Sequence, residues 1–166
     1  MTVAPAQRSR TAILAGAKIV IAEVGSYESN MVDIAARAQV SRATVYNHFA
    51  DKEEMMFSLL ESEILRLADL AKSSSTPQGA LQILSEEISG DKALRKMTET
   101  DPEDIAAFVT MGEHPLWAVV QEALTKIFGL NNYSLVLHWL IGQIASPLTQ
   151  AESRHQSEQI ARSLAS

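Results

Sequence analysis

Residues 31–52 form the stretch MVDIAARAQVSRATVYNHFADK, and this stretch decides the fold. Asn30 is a good N-cap for a first short helix that ends at Ala38. Apolar residues at three- and four-residue steps give that helix one buried stripe, made of Met31, Ile34, Ala35 and Ala38. Ser41 is a second N-cap, and the helix after it places Val45 and Phe49 on its buried side. The stretch therefore predicts two short helices joined by a tight turn.

The remaining surface of the second helix carries an unusual set of polar groups. Arginine can bond guanine with two hydrogen bonds, asparagine can bond adenine, and a methyl group packs on thymine. We therefore predict a DNA-binding helix-turn-helix whose second helix contacts base edges. The candidates for base edges are Arg42, Ala43, Thr44 and Asn47. The candidates for phosphates are Asn30, Tyr46, His48 and Lys52, the last beside the amides at the start of the next helix.

The same stretch resembles the DNA-binding domain of the TetR family of transcriptional regulators. Together with the helix before it, the resemblance covers about the first third of the chain. Three positions depart from the family pattern. Gln39 replaces the usual turn glycine, so we expect it to hold a left-handed conformation. Asn30 replaces a common threonine, and Ser26 replaces the aromatic residue after Gly25, whose space we expect Tyr27 to fill. The matching residues are Asp33, Ile34, Ala35, Ala38, Val40, Ser41, Thr44, Val45, Tyr46, His48, Phe49 and Lys52.

The sequence predicts an all-α protein, because helical periodicity recurs along the chain and alternation typical of strands is absent. We expect a three-helix helix-turn-helix DNA-binding domain in residues 1–50. Its first helix spans residues 7–24 and is stopped by Gly25. Residues 51–166 are expected to form a helical domain for regulation, ligand binding and dimerisation. It begins with a long helix over residues 51–72, which Asp51 and Glu54 start as a capping box.

Charge divides the chain at the same place. Residues 1–50 hold five Lys and Arg against three acids, a net charge of +2, whereas the remaining residues carry a net charge of −8. A basic head on an acidic body orients toward a polyanion. Arg8 and Arg10, near the start of the chain, are either phosphate contacts or solvated charges.

Further helices are predicted over residues 77–88, 91–98 and 101–111, and again over 116–128 after a break at Pro115. Asp101 is the expected cap of the third of these. Residues 133–148 are apolar all round the predicted helix, so more than one of its faces must be buried. This run is too short to span a membrane. The TetR resemblance implies that it forms a homodimer interface with the tail, through Leu137, Leu140, Ile141, Ile144, Leu148, Ile160 and Leu164.

Methionines and aromatic residues in the second domain suggest an adaptable pocket for a small apolar or amphipathic effector. The alternative is that they are ordinary core. Glu113 and His114 are adjacent, but we expect a solvated helix end there and neither metal nor cofactor. The sequence lacks catalytic motifs, so we predict no enzyme activity. The pocket candidates are Met56, Leu60, Met97, Phe108, Met111, Trp117 and Trp139.

The function that the resemblance implies is a homodimeric, cytoplasmic repressor, released from a palindromic double-stranded operator by a small-molecule ligand. The absence of cysteine and of a signal peptide fits the cytoplasm. One alternative is a helix-turn-helix regulator controlled by a protein partner, with no small-molecule pocket. A second is a helical enzyme that has borrowed the DNA-binding fold, which would need a convergent catalytic set.

Overall fold

The computed structural model describes residues 5–110 and 115–164, and within these ranges the chain forms ten α-helices and no strand. The all-α prediction is therefore confirmed. The helices are α1 (Pro5–Glu28), α2 (Met31–Arg37), α3 (Arg42–His48), α4 (Lys52–Lys72), α5 (Pro77–Gly90), α6 (Lys92–Thr100), α7 (Pro102–Thr110), α8 (Pro115–Phe128), α9 (Tyr133–Ala145) and α10 (Gln150–Leu164).

Helix α1 is interrupted at Gly25, where φ is 89° and ψ is 175°. This backbone conformation is almost restricted to glycine, because a β-carbon would clash with the main chain. The predicted stop at Gly25 is confirmed, although one further short turn reaches Glu28. The last apolar residue before the break, Val24, is 41% exposed.

The two predicted N-caps stand at the starts of α2 and α3, as expected. Asn30 Oδ1 accepts the amides of Val32 at 3.1 Å and Asp33 at 3.0 Å, and Ser41 Oγ accepts the Thr44 amide at 3.0 Å. Each bond satisfies an amide that the helix itself leaves unpaired. The starts of α2 and α3 are thus fixed by residues close to them in the sequence.

A left-handed residue closes α2. Gln39 has φ 56°, and among the described residues it is the one non-glycine residue with positive φ. Its amide bonds Ala36 O at 3.2 Å, and the Val40 amide bonds Ala35 O at 3.0 Å. This pair of bonds is the Schellman motif, which normally places glycine at the left-handed position. The motif forms here with glutamine, as the sequence departure at this turn predicted.

The chain divides into two compact units. The first ends at Ser62 and also includes Lys92–Asp104, and in it α1 packs against α2, α3 and α6. The functional division at residue 50 stays a prediction. Met56, Met97 and Val40 pack against this unit's core, whose buried residues are Ile13, Leu14, Ala17, Val20, Ile21, Met31, Ile34, Ala35, Val45, Phe49, Met55, Leu59 and Ala93.

Helix α4 begins with the first of the two bonds of the predicted capping box, whereas the second reaches the amide of the residue before the cap. Asp51 Oδ1 accepts the Glu54 amide at 2.8 Å, and Glu54 Oε2 accepts the Ala50 amide at 2.7 Å. The two bonds satisfy backbone donors at the start of the helix. From Lys52 to Lys72 the helix is about 30 Å long at 1.5 Å per residue.

The second unit comprises Glu63–Asp91 and Ile105–Ser166, and α5 packs there against α8, α9 and α10. A buried polar network joins three of these helices. Gln143 Oε1 of α9 accepts the hydroxyls of Ser85 at 2.6 Å and Ser89 at 3.1 Å, and Ser153 of α10 bonds Ser85. Because buried hydroxyls are costly unless bonded, the network fixes the register of α9 and α10 against α5.

Two details differ from the sequence predictions. Helix α9 ends at Ala145 and not at residue 148, because Ser146 precedes Pro147 and proline disfavours a helical residue before it. Asp101 does not cap α7 with its side chain, since its carboxylate accepts backbone amides from the end of α1. Over the described ranges, no helix is both long and apolar enough to cross a lipid bilayer.

Candidate nucleic-acid interface

Helix α3 buries one side and leaves the other open to solvent. Val45 is fully buried and Phe49, directly after the helix, is 1% exposed. On the opposite side, the predicted base-contacting residues Arg42, Ala43 and Asn47 are all exposed. The predicted orientation of this helix is therefore confirmed, and its polar side is accessible.

Two other residues of α3 are partly enclosed. Thr44 is half-buried, and its hydroxyl lies 2.8 Å from the Ser41 hydroxyl at the start of the helix. His48 is half-buried with its ring centroid 6.3 Å from that of Phe49. Tyr46 is 55% exposed. The phenol, the imidazole and the Thr44 hydroxyl thus accompany the exposed guanidinium and amide on one short helix.

The Asn30 side chain is exposed and makes three hydrogen bonds within the protein. Its oxygen caps α2, and its Nδ2 donates to Asp33 at 2.7 Å. An asparagine held in this way serves first to fix the start of α2. Its predicted phosphate contact stays a prediction.

Lys52, the first residue of α4, donates from Nζ to the carbonyl oxygen of Tyr27 at 3.0 Å. The bond places the ammonium group between the start of α4 and the end of α1. The Tyr27 side chain itself is 81% exposed, so the prediction that it fills the space of the missing aromatic residue is wrong. The break at Gly25 turns the backbone, and Ser26 is buried instead.

Arg10 is half-buried and contacts other residues of its own unit. Its Nη2 donates to Ser58 at 2.9 Å, and its guanidinium carbon lies 5.0 Å above the centre of the Phe49 ring. Arg10 is therefore not a freely solvated charge, and its phosphate contact stays a prediction. A hydrogen bond and a cation–π contact hold it because its helical position faces α4 and Phe49. Arg8 is exposed.

Residues 13–59 match the sequence model of the family described as bacterial regulatory proteins, tetR family. The fold of the whole chain is similar to that of the fatty acid degradation regulator FadR from Bacillus halodurans, with 17% identity, a TM-score of 0.64, and 99% and 96% of the two chains covered. Residues 13–59 are therefore identified as a tetR-family domain. The prediction of this family from the sequence is confirmed for these residues.

Two further solved structures extend the TetR fold over both compact units. The TetR family repressor AlkX from Dietzia sp. strain DQ12-45-1b is 18% identical, with a TM-score of 0.62 and 94% and 95% of the two chains covered. FadR from Bacillus subtilis, in complex with stearoyl-CoA, is 18% identical, with a TM-score of 0.56 and 94% and 97% covered. The comparison with curated protein sequences finds no match.

The residues predicted to line an effector pocket fall into both units. Phe108 and Trp117 stack with ring centroids 5.0 Å apart, and the indole of Trp117 donates to Phe108 O at 3.3 Å. The Trp139 indole donates to Gln156 at 2.8 Å. Met56 and Met97 pack on the core of the first unit, and Leu60 is half-buried. Met111, together with the Glu113–His114 pair, lies outside the described residues.

The residues predicted for the dimer interface lie on α9, α10 and the segment between them. Leu140 is 6% exposed and packs in the core of its own unit. Leu135, which was not a candidate, is 51% exposed on α9. The half-buried candidates are Leu137, Ile141, Ile144, Leu148, Ile160 and Leu164. Within the described ranges, no group of three or more His, Cys, Asp or Glu residues is arranged to hold a metal ion.

Proposed function

We propose that this protein is a homodimeric TetR-family transcriptional repressor, which a small-molecule ligand releases from a palindromic operator. The observation that carries the proposal is the exposed polar side of α3, with Arg42, Ala43 and Asn47 accessible and Val45 buried. Residues at the start of a recognition helix contact base edges in the major groove. In this proposal Arg42, Ala43, Thr44 and Asn47 contact bases.

Phosphate contacts would set the position of α3 in the groove. Tyr46 and His48 lie on the same helix, and Asn30 and Lys52 lie at the starts of α2 and α4. Helix starts and cations both attract phosphate groups. The basic character of residues 1–50 supports this assignment, although one head with a net charge of +2 binds a polyanion only modestly. Two heads on one operator would supply the affinity.

The proposed dimer pairs α9 and α10 with the same helices of a second copy. Support comes from α9, which leaves Leu135 exposed and Leu137, Ile141 and Ile144 half-buried in an otherwise apolar helix. Two-fold symmetry would place the operator half-sites about 34–36 Å apart or at a multiple of that distance.

The proposed effector is small and apolar or amphipathic. Support comes from the Phe108–Trp117 stack and from the stearoyl-CoA bound by FadR of Bacillus subtilis. A ligand that favours a wide-set pair of heads by a few kcal/mol would shift the population toward the state that releases DNA. Movement of the long helix α4 would transmit this shift.

Two alanine variants test the DNA interface. Arg42→Ala should cost about 1–3 kcal/mol on the operator and relax sequence preference, because a base contact is lost. Lys52→Ala should weaken binding to every sequence and flatten the salt dependence, because a phosphate contact is lost. Fluorescence anisotropy on operator and random DNA measures both. The control is Lys126→Ala, which removes an exposed cation of α8. If both variants bind like this control, the assignment of the interface fails.

Stearoyl-CoA is the probe for the effector. The proposal expects it to raise the melting temperature of the protein and to release bound operator. If operator binding is intact and a panel of stearoyl-CoA, free fatty acids and alkanes produces neither effect, control by a protein partner replaces ligand control.

A further inference from the structure

The break in α1 is held by the end of α6. Gly25 lies against Thr100 and Asp101, so closely that a β-carbon at Gly25 would meet Thr100 Oγ1 and Asp101 Oδ2. The two following residues, Ser26 and Tyr27, are therefore brought to a carboxylate that lies more than 70 residues away in the sequence.

Asp101 accepts three hydrogen bonds at this place. Its Oδ2 accepts the Ser26 amide at 2.8 Å and the Thr100 hydroxyl at 2.7 Å, and its Oδ1 accepts the Tyr27 amide at 3.1 Å. Asp104 adds a bond from the Ser26 hydroxyl at 2.6 Å. Asp101 is 9% exposed, so these bonds replace most of its hydration. A carboxylate that accepts two backbone amides is a strong, charge-assisted anchor.

The carbonyl groups of the same two residues accept hydrogen bonds from the starts of α4 and α2. Tyr27 O accepts the Lys52 ammonium at 3.0 Å. Ser26 O accepts the Ser29 hydroxyl at 2.6 Å, one residue before Asn30 caps α2. The segment Ser26–Tyr27 is thus bonded through its amides to Asp101 and through its carbonyls to Lys52 and to the approach to α2.

Ser26 makes this arrangement feasible. A small residue with a hydroxyl replaces the aromatic residue that the TetR pattern has after the turn glycine, and it is buried at 4% exposure. Its hydroxyl and its amide each reach a carboxylate. Hydrogen bonds to the α6–α7 junction therefore replace the packing of an aromatic ring.

We infer that Asp101 is a positioning residue for DNA binding, which holds the Tyr27 carbonyl where it orients Lys52 toward a phosphate. The inference rests on the proposed function. Asp101 touches no base or phosphate itself in this account. Its negative charge alone would repel DNA, so a loss of affinity on neutralising it has the opposite sign from simple electrostatics.

Asp101→Asn is the sharpest test, because it keeps the size of the side chain. The amide group can accept through one oxygen only, so its NH₂ would face one of the backbone amides of Ser26 and Tyr27. The matched control is Glu103→Gln, an exposed residue two positions further on that loses the same charge. Circular dichroism and melting curves establish that each full-length variant is folded at the assay temperature.

The measurement is the salt dependence of operator binding. Loss of one phosphate contact in each protomer should lower the slope of log K against log salt by about 1.8 for a dimer. Between 50 and 200 mM salt, the wild type should then lose about 12-fold more affinity than Lys52→Ala. Asp101→Asn should resemble Lys52→Ala, and the double variant should have the same slope as Lys52→Ala alone.

Three outcomes separate the claims. If the wild type binds no DNA, the proposed function fails and this inference with it. If the wild type binds and Asp101→Asn keeps the wild-type slope, or behaves like Glu103→Gln, the inference alone is overturned. If Asp101→Asn lowers the slope further in the Lys52→Ala background, Asp101 does not act through Lys52, which also overturns the inference.

Discussion

Replacing Gln39 by glycine should stabilise the protein. Gln39 occupies the left-handed position of the Schellman motif with φ 56°. A side chain in that region costs about 1–2 kcal/mol, and glycine avoids this cost. Glycine also has more conformational freedom in the unfolded chain, which reduces the gain in stability by about 0.5–1 kcal/mol. The net expectation is a gain of about 0.5–1 kcal/mol.

The assay is thermal unfolding of Gln39→Gly, with Gln39→Ala as the matched control. The control removes the side chain beyond the β-carbon, so the strain remains and the melting temperature should not rise. For a chain of this size the expected rise in melting temperature is about 1–4 °C. Hydrogen exchange of the Val40 amide, which bonds Ala35 O at 3.0 Å, should slow in the glycine variant only. Equal melting temperatures for the two variants would refute the strain argument.

Three further substitutions test the packing. Gly16→Ala would put a β-carbon 2.9 Å from Ala38 N, so we expect about 1–3 kcal/mol of destabilisation in urea titrations, and an unchanged midpoint would contradict this close contact. Gln143→Leu should cost about 1–3 kcal/mol, because two buried serine hydroxyls lose their acceptor, and a neutral result would contradict the network. Asp101→Asn should destabilise at neutral pH, and its difference from the wild type should shrink below pH 3.8.

The hydrogen bonds of Asp101 determine how its contribution to stability changes with pH. Burial alone would raise the pKa of the Asp101 carboxyl. The Thr100 hydroxyl and the amides of Ser26 and Tyr27 outweigh that effect and lower the pKa below its ordinary 3.8. A carboxyl whose pKa falls on folding stabilises the protein above its unfolded pKa. This stabilisation disappears as the pH falls through the lower pKa of the folded state. Urea midpoints measured over that pH range would record the change.

The elements whose cause is local could be predicted from the sequence. Both N-caps, the Asp51 cap of α4 and the left-handed Gln39 depend on residues within a few positions of one another, so a short stretch specifies them. The orientation of α3 could also be predicted, because the spacing of Val45 and Phe49 determines which side is buried.

The contacts of distant residues could not be predicted in the same way. The sequence contains no signal that pairs Asp101 with Ser26, or Arg10 with Ser58, because each contact depends on how two helices pack. Asp101 before Pro102 has the pattern of a helix cap, and packing against the break at Gly25 gives its carboxylate other donors. Tertiary structure therefore changed the role of a residue whose local pattern was clear.

The central claim is that two copies of α3 bind one palindromic DNA site. Its most direct test is selection of bound fragments from a random duplex pool by the full-length protein, followed by sequencing. The account predicts an enriched inverted repeat whose half-sites are centred about 10 base pairs apart or at a multiple of that spacing. Arg42→Ala should lose preference within each half-site and keep the spacing. A pool that stays random, or a single site without two-fold symmetry, would contradict the claim.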